Sequence, residues 1–235
     1  MFNELTAWRF KPEQSDFIDF FSDDIEKRTA REIAYVLNEA IIPSLSMSDL
    51  NQSNFDKLLS FYCETQTHES LTAFIYFVAQ NKSFAPVVEK FIREGLYTQN
   101  LEKIAASSFA LVKWCELNSN DQPVAMISRL IYSINPNQTI GLTVLINSAA
   151  QLYELECLSK GNIESLVEVL PMIFDSTNYE NIDPLSRLAI SVTFVRAAYV
   201  KLARQLLEVE KEVNSELRRV IDQAKADPLP EVRFA

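Results

Sequence analysis

Glycine occurs three times in 235 residues, at Gly95, Gly141 and Gly161. Sandwiches, barrels and phosphate-cradling loops need glycine for positive φ and for close backbone approach, so this chain is poorly equipped to form them. Helices joined by short polar turns have no such need. The apolar spacing agrees: Ile25, Ile33, Val36, Leu37, Ala40 and Ile41 fall largely on one helical stripe, with Ser22 as its cap and Pro43 as its stop. Phe55, Leu58, Leu59 and Tyr62 predict a second helix over about 54–65, and residues 69–81 a third that is apolar almost all round. A short helix follows, with Ser83 as cap, Pro86 in its first turn and Gly95 as its C-terminal stop.

Further helices are expected over 100–118 and from Pro123 onward. The segment 137–161, uncharged as far as Tyr153, reads as one helix closed by Gly161, and Pro171 predicts a kink or break in the next. The last long element, 183–226, either exceeds 25 residues or breaks near Val213 and Asn214. No strand pair is legible. The fold class is all-α.

Apolar residues make up 48% and charged residues 23%, the balance of a folded chain with a core to bury. A net charge of −10 disfavours a phosphate backbone as partner, because nucleic-acid affinity rests on Lys and Arg displacing counterions. The basic residues are also interleaved with acids, so direct nucleic-acid binding is not expected. Cys63, Cys115 and Cys157 lie far apart within apolar helical patterns, which suits reduced thiols. The opening MFNELTAWRF is unlike a secretory signal, and the uncharged run 130–153 carries too many amides for a membrane span. A cytoplasmic protein is the expectation.

Pro43, Pro86, Pro136, Pro184 and Pro228 stand near expected helix boundaries, separated by 43, 50, 48 and 44 residues. Two-helix and three-helix solenoid units run to about 40–47 residues, and such pairs bury their faces by stacking on the next pair. The stretch DPLPEVRFA, with Asp227, Pro228, Val232, Arg233 and Ala235, resembles the HEAT-repeat turn into a second helix beginning Val-Arg-x-x-Ala. DPLSRLAI, from Asp183 and Pro184 through Arg187 and Ala189 to Ile190, looks like a degenerate relative lacking the Val. INPNQT and SFAPVV depart from the pattern. The resemblance implies stacked antiparallel helical pairs, an α-solenoid of the HEAT/armadillo kind that acts as a binding platform. The alternative is a compact multi-helix bundle. On this reading residues 1–235 form one helical domain or array, residues 1–21 are an N-terminal cap, and residues 226–235 begin a further, truncated repeat. There Asp227 would be the N-cap, Pro228 the first helical residue, and Val232, Phe234 and Ala235 the first apolar face.

Chemistry is scarce. His68 is the one histidine, so serine and cysteine triads and zinc-hydrolase schemes rest on a single candidate, between polar residues at a helix start. The cysteines lack paired metal spacing, and Asp23, Asp24 and Glu26 do not share one helix face as a magnesium motif requires. No metal, cofactor or catalytic residue is expected. The reading is a non-catalytic scaffold or adaptor for another protein, one with a basic surface suiting the acids Asp16, Asp19, Asp23 and Asp24. Glu208, Glu212, Arg218 and Arg219, on a solvated helix with a Val209–Val213–Leu217 seam, are the other partner-binding candidates. Phe17, Phe20 and Phe21 offer either a cap or a self-association patch. Two alternatives stand beside this: a helical enzyme or ligand sensor with a pocket over 139–153 formed by Asn147, Ser148 and Gln151, and an acidic inhibitor or immunity-type protein that blocks a basic groove.

Overall fold

The structure, a computed structural model, describes residues 33, 35–65, 68–98, 100–118, 123–136, 141–178, 187–209 and 215–235. Every regular element among them is helical, and they contain no strand. The chain divides into two compact units, Met1–Ser119 and Asn120–Ala235.

In unit 1 a π-helical turn, Leu37–Ile41, runs into a 3₁₀ turn, Ile42–Ser44, that contains Pro43. The helices that follow are α1 (Gln52–Thr65), α2 (His68–Gln80), α3 (Ala85–Leu96) and α4 (Leu101–Leu117). Asparagines start two of them: Asn51 Oδ1 accepts from the Asn54 amide at 3.0 Å, and Asn100 Oδ1 from the Lys103 amide at 3.1 Å. Ser83 is not the cap of α3. Asn81 instead caps a 3₁₀ turn, Lys82–Phe84, that leads into α3, and Phe84 occupies the cap position itself. The apolar α2 is covered as its sequence requires, packing against α1, α3, α4 and the two turns before α1. Leu71, Phe74, Ile75, Phe77 and Val78 are all fully buried.

Gly95 does not stop α3 by a left-handed turn; it lies inside the last helical turn. Its role is close approach. A Cβ there would lie 1.8 Å from Ser107 Oγ and 3.3 Å from the Lys103 carbonyl oxygen, so α4 crosses α3 where only a hydrogen fits.

Unit 2 contains α5 (Val124–Ser133), α6 (Leu142–Glu154), α7 (Lys160–Ser176), α8 (Arg187–Val209), α9 (Ser215–Ala224) and a single turn, α10 (Pro230–Arg233). The uncharged run is not one helix. Gly141, at φ 77°, precedes α6, the helix ends at Glu154, and Glu156 takes φ 56° to turn the chain. Gly161 then belongs to the first turn of α7, which Ser159 and Asn162 close with a reciprocal capping box. Nor does Pro171 break α7: the helix continues to Ser176 with Pro171 buried. The expected break near Val213 and Asn214 lies outside the described residues, between α8 and α9.

Several helices of unit 2 touch both a next and a next-but-one neighbour. α8 packs on α6, α7, α9 and α10, while α7 packs on α5 and α9. α8 is accordingly buried over most of its circumference, through Val192, Val195, Tyr199, Val200, Leu202, Ala203 and Leu206, and exposes one face through Phe194, Lys201 and Glu208. The proposed cap over 1–21 and the Asp183–Pro184 turn lie outside the described residues.

Candidate interaction surface

A helix buried on most sides leaves recognition to the helices that cover it. On α7 the spacing i, i+4, i+8 and i+11 puts Glu164, Glu168, Met172 and Asp175 on one exposed stripe, opposite buried Leu166, Leu170 and Ile173. Met172 is 58% exposed within this acidic row. Lys160 stands 3.8 Å from Glu164 at the start of the stripe. At its end Arg219 of α9 donates from Nη2 to Asp175 Oδ2 at 2.9 Å, from Nε to Glu216 Oε2 at 2.8 Å and from Nη1 to Gln223 Oε1 at 2.8 Å. The hydrogen bonds that Arg219 donates to Asp175 and Glu216 raise the guanidinium pKa further, so Arg219 is a permanent cation tying α9 to α7.

Of the other partner-binding candidates, Glu208 is exposed at the end of α8 and Arg218 is exposed on α9. Asp16, Asp19, Asp23, Asp24 and Glu212 lie outside the described residues, as do Phe17, Phe20, Phe21 and Val213. Leu217, from the expected seam, is buried within unit 2.

Asn147, Ser148 and Gln151 do not converge. Asn147 and Gln151 share the exposed face of α6 with Val144 and Glu154, whereas Ser148, about 100° around the helix, is buried. Glu154 Oε1 accepts from Gln205 Nε2 of α8 at 2.6 Å. An open hollow of about 640 Å³ runs along α1 past Gln52, Asp56, Lys57, Ser60 and Glu64. Its polar groups come from a single helix and include no nucleophile paired with a base. His68 opens α2. No group of three metal-ligating side chains exists among the described residues. Cys63 is exposed while Cys115 and Cys157 are buried, all three as thiols. No helix among the described residues is long and apolar enough to cross a membrane.

The most elaborate polar arrangement lies inside unit 2. Arg196 of α8 is 8% exposed, and its Nε and Nη2 donate to Asp227 Oδ2 at 3.0 and 2.8 Å. Its Nη1 donates to the Phe174 and Thr177 carbonyls, at 2.9 and 2.8 Å, where α7 ends with orphaned acceptors. The guanidinium lies 3.7 Å from the centre of the Phe174 ring. Asp227 therefore does not cap a helix starting at Pro228. Its Oδ1 accepts from the Leu229 amide at 3.0 Å, and the helical turn begins at Pro230, with Leu229 as cap and Pro230 in its first turn. Only Val232 of the expected apolar face is buried, Phe234 being 82% exposed.

Arginine inside SVTFVRAAYV was the legible signal for this cluster, because a cation surrounded by apolar helix positions requires a buried partner. That the partner is Asp227, 31 residues on, is a tertiary fact no spacing reveals. Tyr199 is the incomplete part: its hydroxyl is buried with no hydrogen-bond partner. Burial first, and then Asp175, pushes its pKa well above the ordinary 10.0.

Comparison with known proteins finds no matching family model, no matching curated protein and no matching solved structure.

Proposed function

We propose that the protein is a non-catalytic scaffold or adaptor whose helices present an acidic surface to a basic partner protein. The observation that carries this reading is the exposed stripe of α7, where Met172 stands among Glu164, Glu168 and Asp175. An apolar side chain set in a row of carboxylates suits a partner that brings both a hydrophobic contact and positive charge, and the charge speeds and orients encounter. Contacts between next-but-one neighbours within unit 2 support helical pairs stacked in two rows, α5–α7–α9 and α6–α8–α10. The scattered placement of Asn147, Ser148 and Gln151 favours this surface over a ligand pocket on α6. The acidic inhibitor reading uses the same stripe and differs only in that the partner's basic groove is its active site.

Charge reversal tests the reading. Glu164→Lys with Glu168→Lys, at exposed positions where the circular dichroism spectrum should stay unchanged, is expected to abolish capture of the proteins that the unaltered chain retains at low salt. The same capture should weaken for the unaltered chain as salt rises. Retention of the same proteins by the reversed chain, at every salt concentration, would rule the stripe out.

A further inference from the structure

Residues 225–235 lie along α8, held by two arginines of that helix. Arg196 binds the Asp227 carboxylate, and Arg204, two turns on, donates from Nη1 to the Ala235 carbonyl and from Nη2 to the Arg233 carbonyl at 3.2 Å. Val200, four residues from each, shares their face and is fully buried. Val232 is fully buried as well, and α10 packs principally on α8. The chain reaches this turn through Lys225 and Ala226, both exposed.

We propose that the Arg196–Val200–Arg204 face of α8 is a receptor for a segment with a carboxylate at its start and an aliphatic side chain five residues on, and that residues 227–235 of a second copy of this chain can replace the chain's own. Three observations converge. The receptor is held in shape without its occupant, because Arg196 Nη1 binds the Phe174 and Thr177 carbonyls and its guanidinium rests on the Phe174 ring. The occupant keeps its own turn, Arg233 Nη1 donating to the Asp227 and Pro228 carbonyls at 2.6 and 2.9 Å. Charge and shape fix who fits: a buried guanidinium demands a carboxylate, while Arg204 reads only backbone carbonyls. The sequence that meets these demands is the chain's own, so exchange between copies preserves every contact.

The test titrates a fluorescent synthetic peptide of residues 225–235 into the full chain. Asp227→Asn frees the receptor from its own segment, so that variant is expected to bind the peptide at least tenfold more tightly than the unaltered chain. A peptide carrying Asn in place of Asp227 should bind neither. Should the Asp227→Asn chain lose its helical circular dichroism, Arg233→Ala takes its place, since it loosens the segment's own turn and leaves α8 intact. In light scattering, the unaltered chain returned from mild denaturant at high concentration should give a dimer that excess peptide dissociates. No peptide binding by the loosened chain, equal binding of the two peptides, or a chain that stays monomeric throughout would each overturn the proposal. Peptide binding without dimer would assign the receptor to an acidic segment of some other protein instead.

Discussion

In unit 1 a cluster of rings joins the helices within an otherwise aliphatic core. Phe55 stacks on Phe84 at 4.3 Å and meets Phe74 and Phe77, while Tyr62 and Phe74 both meet Phe91. In unit 2 the core is aliphatic, through Leu142, Leu145, Ile146, Leu166, Leu170, Leu202 and Leu206, and one buried ion pair joins the end of α7, the middle of α8 and the segment after α9. The two solutions fail differently. A ring cluster spreads its energy over many contacts, none of which is indispensable. A buried ion pair concentrates its risk, because removing one partner strands the other charge without water.

That contrast is open to experiment, and the largest effect is expected at Arg196. Replacement by alanine leaves Asp227 Oδ2 and the Thr177 carbonyl without their donor, and should destabilise unit 2 by about 3–5 kcal/mol in urea unfolding. A loss below about 1 kcal/mol would show that the pair is not what organises unit 2. Next comes Gly95→Ala in unit 1, where the added methyl meets Ser107. The expected cost is about 1–3 kcal/mol, with partial recovery when Ser107→Gly is added to relieve the clash. An additive pair of losses would place the strain elsewhere.

The smallest effect has the opposite sign. Tyr199→Phe removes a buried hydroxyl without a partner and should raise stability by about 1 kcal/mol at neutral pH. The pH dependence follows from linkage. Because folding raises the Tyr199 pKa above the unfolded value, its contribution is complete below pH 10.0 and is lost as pH rises beyond that. The alkaline limb of the stability curve should therefore be shallower in the phenylalanine variant, and an unchanged limb would exclude Tyr199 as its source.

Much of the helical order was legible in the sequence because it is local. Stripes at 3.6-residue spacing place α1, α2, α4 and α5 within a few residues, and Pro86 falls in the first turn expected of it. What escaped was decided by groups distant in sequence or by competing local bonds. Ser83 lost the cap of α3 because Asn81, two residues earlier, accepts from the Ser83 amide. Gly95 and Gly161 read as stops, yet one allows a helix crossing and the other opens α7, leaving Gly141 as the glycine with positive φ. Pro171 sits within a helix whose packing outweighs the bond it cannot make. Asp227 had every local mark of a cap, and a buried arginine from α8 claimed it. The surface fared similarly: Arg219 was singled out from the sequence, but its partner Asp175 and the acidic stripe of α7 come from the packing of α9 on α7.

The claim that unit 2 is organised about α8 through Arg196 is tested most directly by hydrogen exchange. In the unaltered chain the α8 amides around Val195 to Ala203 should be the slowest of unit 2, and those of Leu229 to Phe234 well protected for so short a turn. Arg196→Ala should release residues 229–234 by at least a hundredfold more than it releases α6. Equal acceleration across unit 2, or none in residues 229–234, would contradict the account.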